Sequence, residues 1–143
     1  MKTSSFTALL CLLFTTLTSA DPVSVSFDQI YDDRTGSMTT VSCSDGPNGL
    51  ITRFGFQRFS DVPTFPNIGG AGVIPGFNSP NCGTCWALSF NGTTVNVLAL
   101  DHAATGTFNI ALTAMNTLTN GNAIQLGRIT ANANQVAASA CGL

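Results

Sequence analysis

Hydrophobic and polar residues alternate along several short stretches of this chain, and such alternation is typical of half-buried β-strands. One of these stretches covers 23–27, and residues 37–42 are a second predicted strand because they are rich in β-branched residues. Two more, 86–90 and 93–100, are separated by Asn91-Gly92. Because both central positions of a type I′ turn need positive φ, which Asn and Gly tolerate, these residues predict a tight β-hairpin.

A longer period replaces the alternation over residues 107–118, where apolar side chains recur three and four positions apart. This spacing predicts an amphipathic helix that starts at a Thr suited to capping and ends at Asn120-Gly121. We interpret residues 123–129 and 134–138 as the final strands. Several short strands with one main helix favour a small β-barrel that carries the helix on its flank.

The middle of the chain has weaker signals. Residues 50–54 can form one helical turn that stops at Gly55, because Gly suits the end of a helix. Residues 61–81 are dense in Pro and Gly, which is typical of loops. We expect this loop to be ordered because it carries apolar side chains that can be buried, namely Phe65, Ile68, Val73, Ile74 and Phe77.

The composition narrows the classes of function. At 143 residues the chain is long enough for one domain with a core, and 44% hydrophobic residues exclude a highly charged disordered chain. Only 5 Lys+Arg stand against 7 Asp+Glu, so a basic stripe for nucleic acid cannot form. One His and no Glu argue against metal cages and Ser/His/Asp triads. We therefore expect no nucleic-acid partner, no metal and no cofactor.

The first 20 residues have the features of a secretory signal peptide. Lys2 is followed by an apolar run over 6–14, and the small residues Thr18-Ser19-Ala20 suit a signal peptidase. The run is too short to span a bilayer, so membrane insertion is not expected. We predict cleavage after Ala20, a secreted extracellular protein, and a single domain over 21–143 that carries four Arg and seven Asp.

Secretion decides how the cysteines are interpreted. Cys11 leaves with the leader, so an even number remains, and an even number in an oxidising compartment predicts two disulfides. The spacing alone leaves all three possible pairings open. A zinc site built by the same thiolates is the less expected alternative in a secreted chain. The four remaining residues are Cys43, Cys82, Cys85 and Cys141.

Several blocks of residues stand in one order between 23 and 143. Among them are Val23-Ser24-Val25-Ser26, Cys43-Ser44-Asp45-Gly46, Ile68-Gly69-Gly70, Asn81-Cys82-Gly83-Thr84-Cys85-Trp86, Asn96-Val97-Leu98-Ala99-Leu100-Asp101 and the terminal Cys141-Gly142-Leu143. Together and in this order, the blocks resemble the cerato-platanins, a family of small secreted fungal proteins. One block alone would be weak evidence, but their shared order is specific.

The resemblance implies a six-stranded double-ψ β-barrel similar to the first domain of expansins. It also implies one pairing of the cysteines, Cys43 with Cys82 and Cys85 with Cys141. Members of the family are found free outside the cell and in the fungal wall. They bind chitin fragments, which are N-acetylglucosamine oligomers, and they provoke defence responses or necrosis in plants.

Two aspartates are candidates for hydrogen bonds to sugar hydroxyls. Asp101 follows the apolar stretch 93–100 and aligns with the acidic residue that expansin-like barrels keep in their groove. Its carboxylate can accept from sugar hydroxyls or act as a general acid, and it can equally be satisfied by backbone N–H groups of a turn. Asp45 lies in turn-forming sequence, where capping of its own loop is the competing interpretation.

Four more residues complete the expected carbohydrate-binding set. Tyr31, the single tyrosine, stands next to Asp32 and suits a sugar platform, yet it can equally be a core residue whose hydroxyl is bonded. Asn78 and Asn81 carry amide groups suited to acetamide and hydroxyl partners, and turn roles compete with this interpretation. None of these residues is assigned a catalytic role.

Two further features of the sequence bear on its contacts with sugars. Asn91-Gly92-Thr93 is a possible N-glycosylation sequon, although a tight hairpin tip is an awkward acceptor. The sequence also departs from the family at Phe27 and Phe77, where Tyr and Trp are common. The resemblance therefore carries no aromatic sugar contact over to either position.

We expect a non-catalytic, wall-associated protein that binds chitin oligomers and is perceived by a plant cell-surface receptor. Glycoside hydrolysis needs two carboxyl groups that flank the scissile bond, and a shallow groove on a small barrel is a poor setting for a general acid. A weak endo-acting hydrolase or a cellulose-loosening, expansin-like protein is the first alternative. Surface-active self-association near the pI of about 4.8 is the second.

Overall fold

The computed structural model describes residues 20–143, so the predicted leader, apart from Ala20, lies outside the described residues. Among them the longest helix has 7 residues, and none could cross a membrane. Short 3₁₀ turns occupy Gln29–Asp32, Met38–Thr40, Phe59–Asp61 and Ala138–Cys141. The strands are β1 (Asp21–Phe27), β2 (Ile68–Ala71), β3 (Cys85–Phe90), β4 (Thr93–His102), β5 (Thr107–Ile110) and β6 (Arg128–Val136); the helices are α1 (Leu50–Phe54), α2 (Leu112–Leu118) and α3 (Ala123–Leu126).

The six strands close into a mixed β-barrel in the order β1-β5-β2-β4-β3-β6. β1 runs parallel to β5 and β2 runs parallel to β4, whereas the other neighbours are antiparallel. Closure leaves no free strand edge, and free edges are where sheets aggregate. The predicted six-stranded barrel is confirmed, and α2 packs mainly against β4 as the flanking helix.

The β3–β4 hairpin forms as the sequence predicts. Phe90 lies opposite Thr93, and the two residues between them, Asn91 and Gly92, have φ angles of 46° and 82°. Positive φ at both positions is what a type I′ turn requires. The helical turn α1 is confirmed as well, since it ends at Gly55 with a φ of 74°.

Two disulfides tie loops to the barrel. Cys43 is bonded to Cys82 over a sequence separation of 39, and Cys85 is bonded to Cys141 over a separation of 56. This is the pairing that the family resemblance implies. All four cysteines are buried, so both bridges belong to the same core as the strands.

The predicted helix over 107–118 is wrong in its first half. Residues Thr107–Ile110 form β5, which lies between β1 and β2, and only Leu112–Leu118 are helical. Phe108 faces Val25 on one neighbour and Ala71 on the other, and all three are buried. Hydrogen bonds on both edges and a buried position outweigh the local period, which a strand of four residues satisfies by coincidence.

The predicted strand over 37–42 is also wrong. Its central residues form a 3₁₀ turn, and only Ser37 makes an isolated bridge, to Arg58. The Ser37 hydroxyl accepts from the Thr39 backbone N–H at 3.2 Å, while the Thr40 hydroxyl donates to the Ser37 carbonyl at 2.7 Å. Such local side-chain bonds compete with strand pairing in segments rich in Ser and Thr.

The segment over 123–129, predicted as a strand, divides into α3 and the start of β6. Gly127, with a φ of 67°, ends the helix, and the strand begins at Arg128. The loop over 61–81 follows expectation in part, since Ile68 and Ile74 are fully buried while Phe65 and Val73 are partly buried. The prediction is wrong for Phe77, whose side chain is 63% exposed because the loop passes over the surface there.

Candidate functional site

The site is built at the end of β4, where a bulge lets a charged residue sit beside a buried strand. Asp101 pairs with Gly70, and the register between β2 and β4 shifts between Gly69 and Gly70. A Cβ atom at Gly70 would lie 2.6 Å from the carbonyl oxygen of His102. The close approach of the two strands therefore depends on glycine, and it places the partly exposed Asp101 at the rim of the barrel.

Asp101 is held by three donors. The Tyr31 hydroxyl donates to its Oδ2 at 2.9 Å, and the backbone N–H groups of Ser42 and His102 donate to its Oδ1 at 2.9 and 2.8 Å. Two of the three are turn or strand-end backbone groups, which is the structural interpretation that the sequence left open. The carboxylate therefore joins three separate segments, the first 3₁₀ turn, the loop before Cys43 and the end of β4.

Tyr31 is a core residue with a bonded hydroxyl. Its side chain is 5% exposed, and its ring lies 6.2 Å from the ring of Phe59. Burial and the neighbouring Asp101 carboxylate raise the pKa of Tyr31 above its usual range. The ring offers no open face for a sugar, and the hydroxyl is already used as a donor to Asp101.

Asn78 holds the turn that contains Asp45. Its side-chain oxygen accepts from the Asn48 backbone N–H at 2.9 Å, and the Asn48 amide donates back to the Asn78 carbonyl at 3.0 Å. The Asn78 backbone N–H also donates to the Ser42 carbonyl at 3.4 Å, one residue from the contact with Asp101. Asp45 itself is exposed and accepts only from the Ser44 hydroxyl, at 3.2 Å.

An exposed aromatic ring beside Asn78 was missed by the sequence reasoning. Phe77 is 63% exposed, and a Cβ atom at Gly46 would lie 3.2 Å from its Cζ atom, so the ring lies over the turn at 45–49. The local sequence could have predicted this exposure, since Phe77 stands alone between Gly76 and Asn78 and has no periodic apolar neighbours. An aromatic side chain in dense turn sequence is more exposed than one on an alternating strand.

The remaining two candidates point to other parts of the fold. Asp32 accepts from the backbone N–H groups of Leu112 and Thr113 at 2.7 and 2.9 Å, so it caps the start of α2. The Asn81 amide donates to the Val73 carbonyl at 2.8 Å and fixes one loop against another. Of the predicted site residues, Tyr31 is therefore hydrogen-bonded to Asp101 directly, and Asn78 is linked to Asp101 through the backbone of Ser42.

A polar cleft adjoins the Asn48–Asn78 pair. It has a volume of about 440 Å³ and is lined in part by Asn48, Arg53, Pro80, Thr84 and Gln135. The Arg53 guanidinium donates to the Cys82 carbonyl at 2.9 Å, so one of the few cations of the chain is fixed at its wall. The volume lies within the range of ligand pockets, and the amides and the Thr84 hydroxyl on its wall can bond to hydroxyl groups of a ligand.

The chemistry available here is that of hydrogen bonding and ring stacking. Within residues 20–143 no three His, Cys, Asp or Glu side chains are grouped as a metal site would need. The two carboxylates with buried contacts, Asp32 and Asp101, are both committed to protein donors. The exposed groups are the Phe77 ring, the Asp45 carboxylate and the polar wall of the cleft.

A small closed β-barrel with two disulfides and a shallow polar surface defines the class of this protein, and comparison with known proteins gives the family. A family model described as Cerato-platanin matches residues 23–143. The chain belongs to the cerato-platanin family.

Relatives and solved structures agree with this assignment. The chain is 52% identical over 122 residues to the allergen Asp f 15 of Aspergillus fumigatus, which covers 85% of this chain and 78% of that protein. It is similar to the crystal structure of cerato-platanin 2 from M. perniciosa, with a TM-score of 0.81, 51% identity and coverage of 86% of this chain and 100% of that one. It is also similar to the solution structure of the fungal elicitor Cerato-Platanin, with a TM-score of 0.74, 38% identity and coverage of 83% and 96%.

Proposed function

We propose that this protein is secreted, binds N-acetylglucosamine oligomers without cleaving them, and elicits defence responses in plants. The observation that carries the binding proposal is the exposed Phe77 ring, which lies over the turn at 45–49 and next to the Asn48–Asn78 pair. The sugar chain would run from this ring toward the cleft beside Asn48. We call the ring, the turn and the cleft together the Phe77 surface.

The ring supplies the apolar part of the contact. A pyranose has one face made largely of C–H groups, and such a face packs on an aromatic ring much as two rings pack on each other. Phe77 is the most exposed aromatic side chain among the described residues, and its neighbours hold the loop in place through Asn78. A rigid exposed ring loses little conformational freedom when a ligand binds.

The polar groups around the ring can orient the sugar through hydrogen bonds. Asp45 is exposed and can accept from sugar hydroxyls, and Gln135 in the cleft can bond both hydroxyl and acetamide groups. The ligand is uncharged, so salt is expected to change the affinity little. A shallow, wet surface gives modest binding, on the order of tens of micromolar to millimolar.

Binding without hydrolysis follows from how the carboxylates are used. A glycosidase needs two carboxyl groups placed about 5–10 Å apart across the scissile bond. Asp32 is bonded to the start of α2 and Asp101 is bonded to Tyr31, Ser42 and His102, which leaves Asp45 as the free carboxylate of the surface. One free carboxylate supports recognition of a sugar rather than its cleavage.

Elicitation and location are proposed from the relatives. One solved neighbour is named a fungal elicitor and one curated relative is named an allergen, so both names describe a response of a host organism. The predicted leader and the two disulfides suit an extracellular location, including the fungal wall. A plant cell-surface receptor would then contact the folded barrel directly.

The binding proposal is tested by removing the ring. Calorimetric titration with a length series of N-acetylglucosamine oligomers should show weaker binding by Phe77→Ala, by about fivefold for a contact worth about 1 kcal/mol. Ile124→Ala is the control, because Ile124 is an exposed apolar side chain on α3 that does not line the cleft. Equal affinities of Phe77→Ala and the unchanged protein would contradict the proposal.

Surface activity is the second candidate function. Over residues 20–143, five large apolar side chains are exposed, and they are Ile30, Phe54, Phe77, Ile124 and Leu126. Low net charge near the pI of about 4.8 would then favour self-association. Sedimentation at pH values near and far from the pI tests this candidate, since a protein that stays monomeric at both would exclude it.

A further inference from the structure

The end of the barrel opposite Asp101 carries a groove that the proposed function does not use. It has a volume of about 390 Å³, lies beside the tip of the β3–β4 hairpin, and is within the range of ligand pockets. We call it the hairpin groove. Its lining includes Phe90, Asn91, Asn120, Asn122, Gln125 and Leu126.

The hairpin groove contains the only N-glycosylation sequon of the sequence. Asn91 is its acceptor, Thr93 supplies the hydroxyl two residues later, and Gly92 between them is not proline. The Asn91 side chain is exposed and lines the groove together with Phe90. Phe90 pairs directly with Thr93, so an aromatic ring and the threonine of the sequon flank the acceptor on adjacent strands.

We propose that Asn91 carries an N-linked glycan and that its first N-acetylglucosamine lies in the hairpin groove against Phe90. This rests on the secretory route that the proposed function includes. In the transfer, the Asn91 amide nitrogen bonds to the anomeric carbon of an oligosaccharide carried on a lipid diphosphate. The carbon–oxygen bond to the diphosphate breaks, the diphosphate leaves with the electron pair, and the amide nitrogen loses one proton.

The lining of the groove matches the chemistry of this first sugar. The C–H face of the ring can pack on Phe90, which is partly exposed and anchored in the core. Exposed amides of Asn120 and Gln125 lie across the groove and can bond the acetamide group and hydroxyls. Asn122 is fixed by its own bond to the Thr119 carbonyl at 2.9 Å, so this wall of the groove is preformed.

The covalent link makes a weak contact sufficient. A sugar free in solution must reach millimolar concentration to occupy a shallow groove, whereas a sugar attached to Asn91 stays within reach of it. The turn is no obstacle when transfer occurs on a chain that has not yet folded. After folding, the glycan would cover the exposed Leu126 side chain and stabilise the hairpin.

The first experiment asks whether the glycan is present. The full chain with its own leader is secreted from a yeast host, and the intact mass of the protein in the medium is measured before and after peptide N-glycosidase F. We expect one glycan, lost in Thr93→Ala and kept in Thr94→Ala, a neighbouring threonine outside the sequon. Protein in the medium without a glycan would overturn the proposal, whereas protein that is not exported would contradict secretion instead.

The second experiment asks whether the first sugar lies in the groove. Endoglycosidase H leaves one N-acetylglucosamine on Asn91, and the same mature chain exported to a bacterial periplasm provides the bare form with its Asn91 amide intact, which peptide N-glycosidase F would convert to Asp. We expect the trimmed form to keep a Tm gain of about 3–5 °C over the bare form, consistent with a contribution near 1 kcal/mol in a domain of this size. The gain should shrink in Phe90→Leu and stay unchanged in Phe27→Leu. An equal gain in both variants would overturn the contact with Phe90.

Discussion

The two ends of β4 use polar side chains in opposite ways. At the end near Asp101, the carboxylates and amides that suit a sugar are mostly bonded to the protein itself. At the other end, the amides of Asn91, Asn120 and Gln125 are exposed around the hairpin groove, although that of Asn122 donates to the Thr119 carbonyl. Residue chemistry alone therefore does not distinguish a ligand contact from a structural one, because the same groups perform both tasks.

The difference has a structural cause. The Asp101 end joins loops that have little regular structure, so their backbone groups need partners from side chains. Tyr31, Ser42 and Asn78 come from three such loops and meet around a single carboxylate. The hairpin end is closed by a two-residue turn whose backbone needs no side-chain support. The side chains at the hairpin end are therefore less needed to satisfy the backbone and can contact a ligand.

The largest expected effect on stability comes from the Cys43–Cys82 disulfide, which lies at the Asp101 end of β4. Replacing Cys43 and Cys82 together by Ala should lower the free energy of unfolding by about 4 kcal/mol, because their link closes a long loop in the unfolded chain. Guanidinium unfolding monitored by circular dichroism measures the loss. A loss below about 1 kcal/mol would show that the bridge does not constrain the unfolded chain as expected. Mass spectrometry of the non-reduced protein should find both native pairs.

Replacing each of the two aspartates by Ala should show which one the fold depends on. Asp101→Ala should destabilise the fold by about 2–4 kcal/mol, because it leaves the buried Tyr31 hydroxyl and the Ser42 N–H without their acceptor. Asp45→Ala should change stability by less than about 0.5 kcal/mol, since Asp45 is exposed. Thermal and chemical unfolding of both variants provide the comparison. Equal stabilities would contradict the structural role of Asp101.

The alkaline stability should depend on one residue. Unfolding restores the ordinary pKa of Tyr31, near 10, whereas the folded protein keeps the hydroxyl protonated above that pH. The unfolded state therefore binds fewer protons there, so stability is complete below about pH 10 and falls as the pH rises further. Tyr31→Phe should lose the hydrogen bond, about 1 kcal/mol, and also lose this pH dependence.

The single tyrosine makes this measurement clean. The ultraviolet absorbance of tyrosinate reports Tyr31 alone, since no other tyrosine is present. We expect no ionisation near pH 10 while the protein is folded, and a simultaneous rise when it unfolds. Ionisation near pH 10 in a protein that is still folded would show that the ring is open to solvent.

Local features of the fold were predictable and non-local ones were not. Asn91-Gly92 defines its hairpin through its own backbone preferences, and Gly55 ends α1 for the same reason. Residues Thr107–Ile110 became a strand because two distant strands, β1 and β2, pair with them. No pattern within the segment carries that information.

The candidate site shows the same limit. The sequence indicated that Asp101 needed partners, and it offered backbone N–H groups as one possibility, but it did not show that the Tyr31 hydroxyl would be among them. It placed Phe77 among the side chains that can be buried because of its hydrophobicity, and the family resemblance gave no aromatic contact there since Phe replaces the common residue. Exposure of one ring depends on where the whole loop crosses the surface.

The central claim is that free N-acetylglucosamine oligomers bind at the Phe77 surface, whereas the hairpin groove holds a sugar only when that sugar is linked to Asn91. The most direct test is a titration of the bare protein with N-acetylglucosamine oligomers, followed residue by residue through backbone amide NMR signals. Below millimolar sugar, we expect progressive shifts in the turn at 45–49 and in residues 77–81, with the signals of residues 118–126 unchanged. Shifts confined to 118–126, or no shifts at millimolar sugar, would contradict it.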